Sequence, residues 1–166
     1  MRIDTIAIDG FGQVHGAQLS PAPGLTVVRG PNEAGKTTQL AFARAMLFGF
    51  ESNRYPAFNG GKRGGWLDVV MADDRALLIE RYGERGGAGK LRVIEKDTDL
   101  GPGQLAQILQ GVESTVYRNI FAFGLAELTR FETLRDEEVA ARIYGAGLGT
   151  GGVSGLKVEQ ELHARM

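Results

Sequence analysis

Residues 30–37 combine the residue types of a phosphate-binding loop. They read Gly-Pro-Asn-Glu-Ala-Gly-Lys-Thr and match the pattern G-x-x-x-x-G-K-[ST] at every fixed position. The backbone N–H groups of such a loop, with the positive end of the helix that follows, surround a bound phosphate. Lys36 would reach the β- and γ-phosphates, and the Thr37 hydroxyl would hold a Mg²⁺ ion. The spacing therefore predicts a site for a nucleoside triphosphate.

The elements on either side fit that prediction. The apolar run at 25–28 predicts a strand, and residues 38–50 predict a helix. Apolar side chains cover so much of this helix that we expect it to be buried against a sheet. Gly30 and Gly35 are expected to adopt backbone angles that a Cβ atom would penalise. A strand, a glycine loop and a helix N-terminus then converge on one anion.

The remaining elements follow from alternation and turn residues. Residues 51–65 are rich in Gly, Asn and Pro and predict a loop. Strands are predicted at 2–8, 14–19, 66–72, 75–82 and 90–96, with a short buried one at 121–123. Helices are predicted at 104–110, 113–119 and 136–144, and a further helix begins after residue 153. The prediction is an α/β fold with an antiparallel β-meander inserted after the phosphate-loop helix, followed by a helical subdomain.

Composition narrows the class of protein. The chain has 166 residues, 43% of them hydrophobic and 23% charged, with a formal net charge of −1. The length predicts one domain, or one domain with a small insertion. The near-neutral net charge argues against a protein held to DNA by bulk electrostatics. The absence of cysteine excludes a disulfide framework and thiolate metal sites. Without a membrane-length apolar run or a signal-peptide pattern, we expect a cytoplasmic protein with no membrane partner.

Patterns for hydrolysis are missing. Neither D-x-x-G nor N-K-x-D follows the loop, and the run Ala76–Glu80 is followed by Arg81 instead of the acid that would hold Mg²⁺ and polarise water. Gly147, Gly149 and Gly152 match G-x-G-x-x-G, but no strand precedes them, so a hinge or helix cap is the better interpretation. We therefore expect the isolated chain to bind ATP without turning it over.

Three segments carry a resemblance to a known family: the opening through Gly12 with the phosphate loop, residues 118–128, and residues 144–154. Over residues 1–155 the chain resembles the N-terminal head lobe of YhaN-type AAA/ABC ATPases, relatives of the SbcC and structural-maintenance-of-chromosomes (SMC) proteins. The resemblance implies a P-loop NTPase lobe with its β-meander at 66–96 and its helical part at 101–145. Residues 156–166 would begin a coiled coil.

In that family a C-terminal lobe of the same ATPase completes the head, and two heads dimerise around ATP and Mg²⁺. The resemblance implies a role in DNA repair or chromosome maintenance, with DNA and a nuclease as partners of the full assembly. It assigns phosphate binding to seven residues: Gly30, Asn32, Glu33, Gly35, Lys36, Thr37 and Thr38. Many relatives place a catalytic glutamine where this chain has Leu125, and Glu127 is the closest polar substitute. Relatives also carry a basic residue near the nucleotide at the position of Gly12, for which Arg29, Arg54 and Arg63 are the candidates here.

Two other function classes remain open at this stage. A non-catalytic nucleotide-binding or assembly module would explain the missing acidic motif. A small-molecule kinase fits less well, because such kinases usually open with the phosphate-loop strand. The loop residues Arg54, Lys62 and Arg63 are candidates for DNA contact, but the more frequent outcome for such residues is a solvated loop.

Overall fold

The structure is a computed structural model, and it describes residues 1–51, 54–58, 61–83, 87–125 and 128. The chain divides into two units, Met1–Leu105 and Ala106–Met166, and each is described by itself. The strands are β1 (Arg2–Phe11), β2 (Val14–Leu19), β3 (Gly64–Val70), β4 (Ala76–Tyr82), β5 (Lys90–Glu95) and β6 (Thr98–Asp99). The helices are α1 (Lys36–Phe48), α2 (Gly103–Ile108) and α3 (Ser114–Val116), and a π-helical turn, Tyr117–Phe121, follows α3. None of the described helices is long and apolar enough to cross a membrane.

All six described strands form one antiparallel sheet in the order β2-β1-β3-β4-β5-β6. The predicted meander is confirmed as β3, β4 and β5, and the two-residue strand β6 was not predicted. β3 pairs with β1 from Arg2 opposite Val70 to Gly10 opposite Gly64. The meander is therefore continuous with the N-terminal hairpin, so that β1 runs through the interior of the sheet.

One face of this sheet is covered by α1, which contacts β1, β3 and β4. Phe42 and Met46 on the helix are fully buried, as are Leu67 on β3, Ile79 on β4 and Val93 on β5. The strict alternation of β4 explains this packing, since successive side chains of a strand point to opposite faces. The predicted burial of the phosphate-loop helix against a sheet is confirmed.

Two strand predictions are wrong. Residues 25–28 pair with no described strand, and Leu25 and Val27 are 89% and 71% exposed. A strand needs a neighbour for its backbone groups, and here the Thr26 hydroxyl instead bonds the backbone N–H and C=O of Ala22. Phe121 is instead the last residue of the π-helical turn, and Ala122 caps that turn, with its N–H donating to the carbonyl of Tyr117. In both places a short apolar run predicted a buried strand, but such a run does not show whether a neighbouring strand is present to pair with it.

The helices predicted at 104–110 and 113–119 correspond to α2 and to α3 with its π-helical turn. The helix predicted at 136–144, the glycine-rich stretch with Gly147, Gly149 and Gly152, and the helix after residue 153 lie outside the described residues. The domain boundaries at 155 and within 101–145 stay predictions.

A buried arginine closes the C-terminal end of α1. The Arg81 Nε donates to the carbonyl of Met46 at 2.9 Å, and its Nη1 donates to the carbonyl of Ala88 at 3.2 Å. The side chain is 6% exposed, and burial lowers the pKa of its guanidinium. A cation at this helix end satisfies a carbonyl that lacks an intrahelical partner and complements the helix dipole.

We expect Arg81→Ala to lower the free energy of unfolding by about 2–3 kcal/mol, because charge-assisted hydrogen bonds are lost in a dry environment. Urea denaturation followed by circular dichroism measures the change. Arg75→Ala is the matched control, since the exposed Arg75 pairs only with surface carboxylates and is expected to cost less than about 1 kcal/mol. Equal losses in the two variants would contradict the capping role of Arg81.

Candidate nucleotide-binding site

The first turn of α1 presents backbone donors without acceptors. The N–H groups of Gly35, Lys36 and Thr37 donate to no described residue, and the first bond of the helix runs from the N–H of Gln39 to the carbonyl of Gly35 at 2.9 Å. No side chain caps this end, and no acidic residue lies in its first turn. Such a helix end, with its positive dipole, is suited to bind an anion.

The loop that precedes α1 depends on two residues in the left-handed region. Gly35 has φ 83°, and a Cβ there would also lie 2.9 Å from a methyl carbon of Val14 on β2. Glu33 has φ 67°, which the sequence did not indicate because glutamate rarely adopts this conformation. The N–H of Ala34 donates to the carbonyl of Pro31 at 3.3 Å and closes this turn.

Gly30 contributes to the loop in a different way from the predicted one. Its φ is not in the left-handed region, so the expectation of special backbone angles is wrong for this glycine. A Cβ at position 30 would lie 3.2 Å from the Cβ of Ala34. The two ends of the loop approach each other closely here, and the missing side chain permits that approach.

Lys36 and Thr37 are the first two residues of α1. The Lys36 Nζ donates to the carbonyls of Gly30 and Pro31, at 2.7 Å each. Because an ammonium group has three donors, it retains one for a phosphate oxygen. Thr37 is exposed in the first helical turn, as are Asn32 and Glu33 in the loop, while Thr38 is half-buried. The structure thus brings the seven predicted phosphate-binding residues together around one helix end.

A second segment, residues 54–58, lies beside this helix end. A Cβ at Gly12, in the turn between β1 and β2, would meet the Tyr55 ring at 3.2 Å and the Thr38 methyl group at 3.4 Å. The N–H of Gly12 donates to the carbonyl of Tyr55 at 3.4 Å, and the N–H of Phe58 donates to the carbonyl of Gly12 at 3.2 Å. Tyr55 therefore occupies the space next to Gly12, the position for which the resemblance implied a basic side chain.

The three arginines proposed to replace that basic residue differ in their surroundings. Arg29 is exposed. Arg54 lies over the Tyr55 ring, with its guanidinium carbon 5.3 Å from the ring centre. Arg63 is only 6% exposed and lies over the ring of Phe50, so the expectation of a solvated side chain is wrong for it. Arg54 is therefore the candidate next to Gly12.

Arg63 fixes the segment that carries Tyr55. Its Nη2 donates to the carbonyls of Glu51 and Arg54, at 2.8 and 2.6 Å. Burial lowers the pKa of this guanidinium, and its Nε and Nη1 donate to no described residue. Sequence reasoning missed this role because the two carbonyls belong to a loop that only the folded chain brings to Arg63.

The catalytic assignment is not resolved by the structure. Glu127 lies outside the described residues, and its role stays a prediction. Leu125, where the resemblance implied a glutamine, is 81% exposed. Within the described ranges, no group of three or more His, Asp or Glu side chains is arranged to hold a metal ion. We call the seven predicted phosphate-binding residues at the N-terminus of α1 the phosphate cradle. Among the described residues, no group of acidic side chains accompanies this cradle.

The comparison with protein families agrees with this geometry, since residues 1–166 match the model of an AAA domain. The chain belongs to the AAA domain family. The uncharacterized protein YhaN of Bacillus subtilis (strain 168) is 33% identical over 163 residues, which cover 94% of this chain and 16% of that protein. The AAA domain chain thus spans about a sixth of the length of this relative. Family membership and the phosphate cradle together support a nucleotide-binding ATPase module.

Proposed function

We propose that the chain is the ATP-binding N-terminal lobe of an SMC/SbcC-like ATPase head that acts in DNA repair or chromosome maintenance. The observation that carries the proposal is the position of the phosphate cradle next to the unpaired segment 25–28. A short segment that exposes three large apolar side chains (Leu25, Val27 and Val28) is a candidate for an interaction site. A further lobe that paired with this segment would bury those side chains and extend a sheet toward the phosphate loop.

The division of labour between the lobes follows from the residues that are present. The first turn of α1 and Lys36 would hold the phosphates, and Thr37 supplies a hydroxyl for Mg²⁺. The bound ion would neutralise phosphate charge during hydrolysis. The acidic group that polarises water would come from the C-terminal lobe of the same ATPase. Within this chain, Glu127 is the candidate to replace the glutamine that the resemblance implies at the position of Leu125. Binding of nucleotide by two heads would favour their association.

Titration calorimetry with MgATP, MgADP and AMP tests the nucleotide site in the 166-residue chain. We expect saturable binding of MgATP and MgADP and at least about tenfold weaker binding of AMP, because the cradle holds the outer phosphates. Phosphate release by the same sample should not exceed the buffer blank. A folded chain that binds none of the three nucleotides would overturn the proposal.

Head association is tested on the complete two-lobe protein. We expect its sedimentation coefficient to rise from that of one head to that of a pair when a non-hydrolysable ATP analogue is added. A monomer at saturating analogue would contradict head engagement and leave a nucleotide-binding assembly module as the better description. Among the described residues, no group of acidic side chains is arranged to hold a metal ion, which favours that second candidate for the isolated lobe.

A further inference from the structure

Tyr55, whose side chain lies beside the first turn of α1, has a strained backbone conformation. Tyr55 has φ 56°, a left-handed conformation that is uncommon for residues other than glycine, asparagine and aspartate. Its ring stacks on the buried ring of Phe11, with 4.8 Å between centres. Two backbone hydrogen bonds to Gly12 and the Arg63 bonds described above hold the segment there. Strain that the surroundings enforce in this way concentrates at ligand-binding segments.

The ring and the cation beside it are placed next to the phosphate cradle. Thr38 lies in the first turn of α1, directly after Lys36 and Thr37. Its methyl group and the Tyr55 ring both lie against Gly12. Arg54 covers the Tyr55 ring, while its side chain remains 65% exposed. A nucleotide held by its phosphates at the end of α1 must place its nucleoside on some neighbouring surface. Aromatic rings and guanidinium planes are the protein surfaces on which nucleobases stack.

We propose that Arg54 and Tyr55 form the nucleoside-binding wall of the site and contact the base of the bound nucleotide. The inference rests on the proposed nucleotide binding. It assigns the contacts to the nucleoside, the part of the ligand that the phosphate loop does not recognise. Gly12 is part of the same arrangement, since any larger residue there would displace the ring. Arg63 acts as a positioning residue, because its Nη2 donates to the backbone carbonyls of Glu51 and Arg54 and so holds the segment that carries Tyr55.

The inference is tested by comparing MgATP with magnesium tripolyphosphate, which has the phosphates but no nucleoside. Calorimetric titrations are carried out on the wild type, Arg54→Ala and Tyr55→Ala. We expect each variant to bind MgATP about tenfold more weakly, as is typical for loss of one base-stacking partner, and to bind tripolyphosphate within about twofold of the wild type. Arg75→Ala is the matched control for Arg54→Ala, because Arg75 is also an exposed arginine and lies in the turn before β4, where it pairs with Asp73 and Glu95.

Other outcomes are equally informative. Equal weakening of MgATP and tripolyphosphate would overturn the inference and show that the segment only supports the phosphate loop. Unchanged MgATP affinity in both variants would overturn it as well. Because Arg54 is exposed, Arg54→Ala decides the question even if Tyr55→Ala does not fold. A third outcome separates this inference from the proposed function. If Lys36→Ala binds neither MgATP nor tripolyphosphate while Arg54→Ala binds both like the wild type, the nucleotide site stands and only the nucleoside-binding wall is refuted.

Discussion

Lys36→Ala is expected to weaken MgATP binding by at least about 100-fold, the largest effect on function of any single change in this chain. The ammonium is the cation placed at the mouth of the loop, bonded to the carbonyls of Gly30 and Pro31. Its removal leaves the first-turn N–H groups to hold the phosphates alone, and a charge-assisted contact to the outer phosphates is lost. Calorimetric titration of both proteins measures the difference.

The control for this prediction is Lys90→Ala, which removes an exposed lysine at the start of β5. It is expected to bind MgATP like the wild type. Because the Lys36 bonds are exposed, the urea midpoint of Lys36→Ala should lie close to that of the wild type. If Lys36→Ala binds MgATP as tightly as the wild type, the nucleotide does not bind at this loop.

Gly65→Ala is expected to have the largest effect on folding. A Cβ at position 65 would overlap the carbonyl oxygen of Ala7 on β1 and lie 3.1 Å from the ring of Phe42 on α1. Neither neighbour can move easily, since one is backbone inside the sheet and the other is fully buried. We expect a loss of about 4 kcal/mol or more in the free energy of unfolding, or failure to fold.

The matched control is Gly103→Ala at the start of α2, where an added Cβ would meet nothing within 4 Å. Alanine favours the helix there, so the stability should stay within about 1 kcal/mol of the wild type or rise slightly. Urea denaturation of the three proteins gives the comparison. A Gly65→Ala protein of wild-type stability would show that β1 and β3 do not pack as closely as described.

Local patterns predicted the elements whose causes are local. The strand Val14–Leu19 was predicted with both its ends, and the helix of the phosphate loop was predicted within two residues of each end. Alternation of apolar residues and turn-forming glycines is sufficient for such elements. The phosphate loop was equally accessible, because its function depends on residues that are adjacent in the chain.

Features that depend on contacts between distant residues could not be predicted. The burial of Arg63 and the contact between Gly12 and Tyr55 require the loop after α1 to fold back onto β1. The left-handed Glu33 runs against its residue type, so only the geometry of the closed turn explains it. The error at 25–28 has the same origin, since an apolar run records a preference for burial but not whether a partner is present.

The exposure of residues 25–28, which pair with no described strand, has a consequence for the synthesis of the protein. Under the proposed pairing with a further lobe, Leu25 and Val27 stay exposed until that lobe has been synthesised and has folded. Exposed apolar residues that have no strand partner can pair with other chains and aggregate. The residues at its borders oppose this: Pro21 and Pro23 stand before the segment, and Arg29 and Pro31 stand after it. Proline and charge at such borders act as gatekeepers that keep a nascent chain soluble.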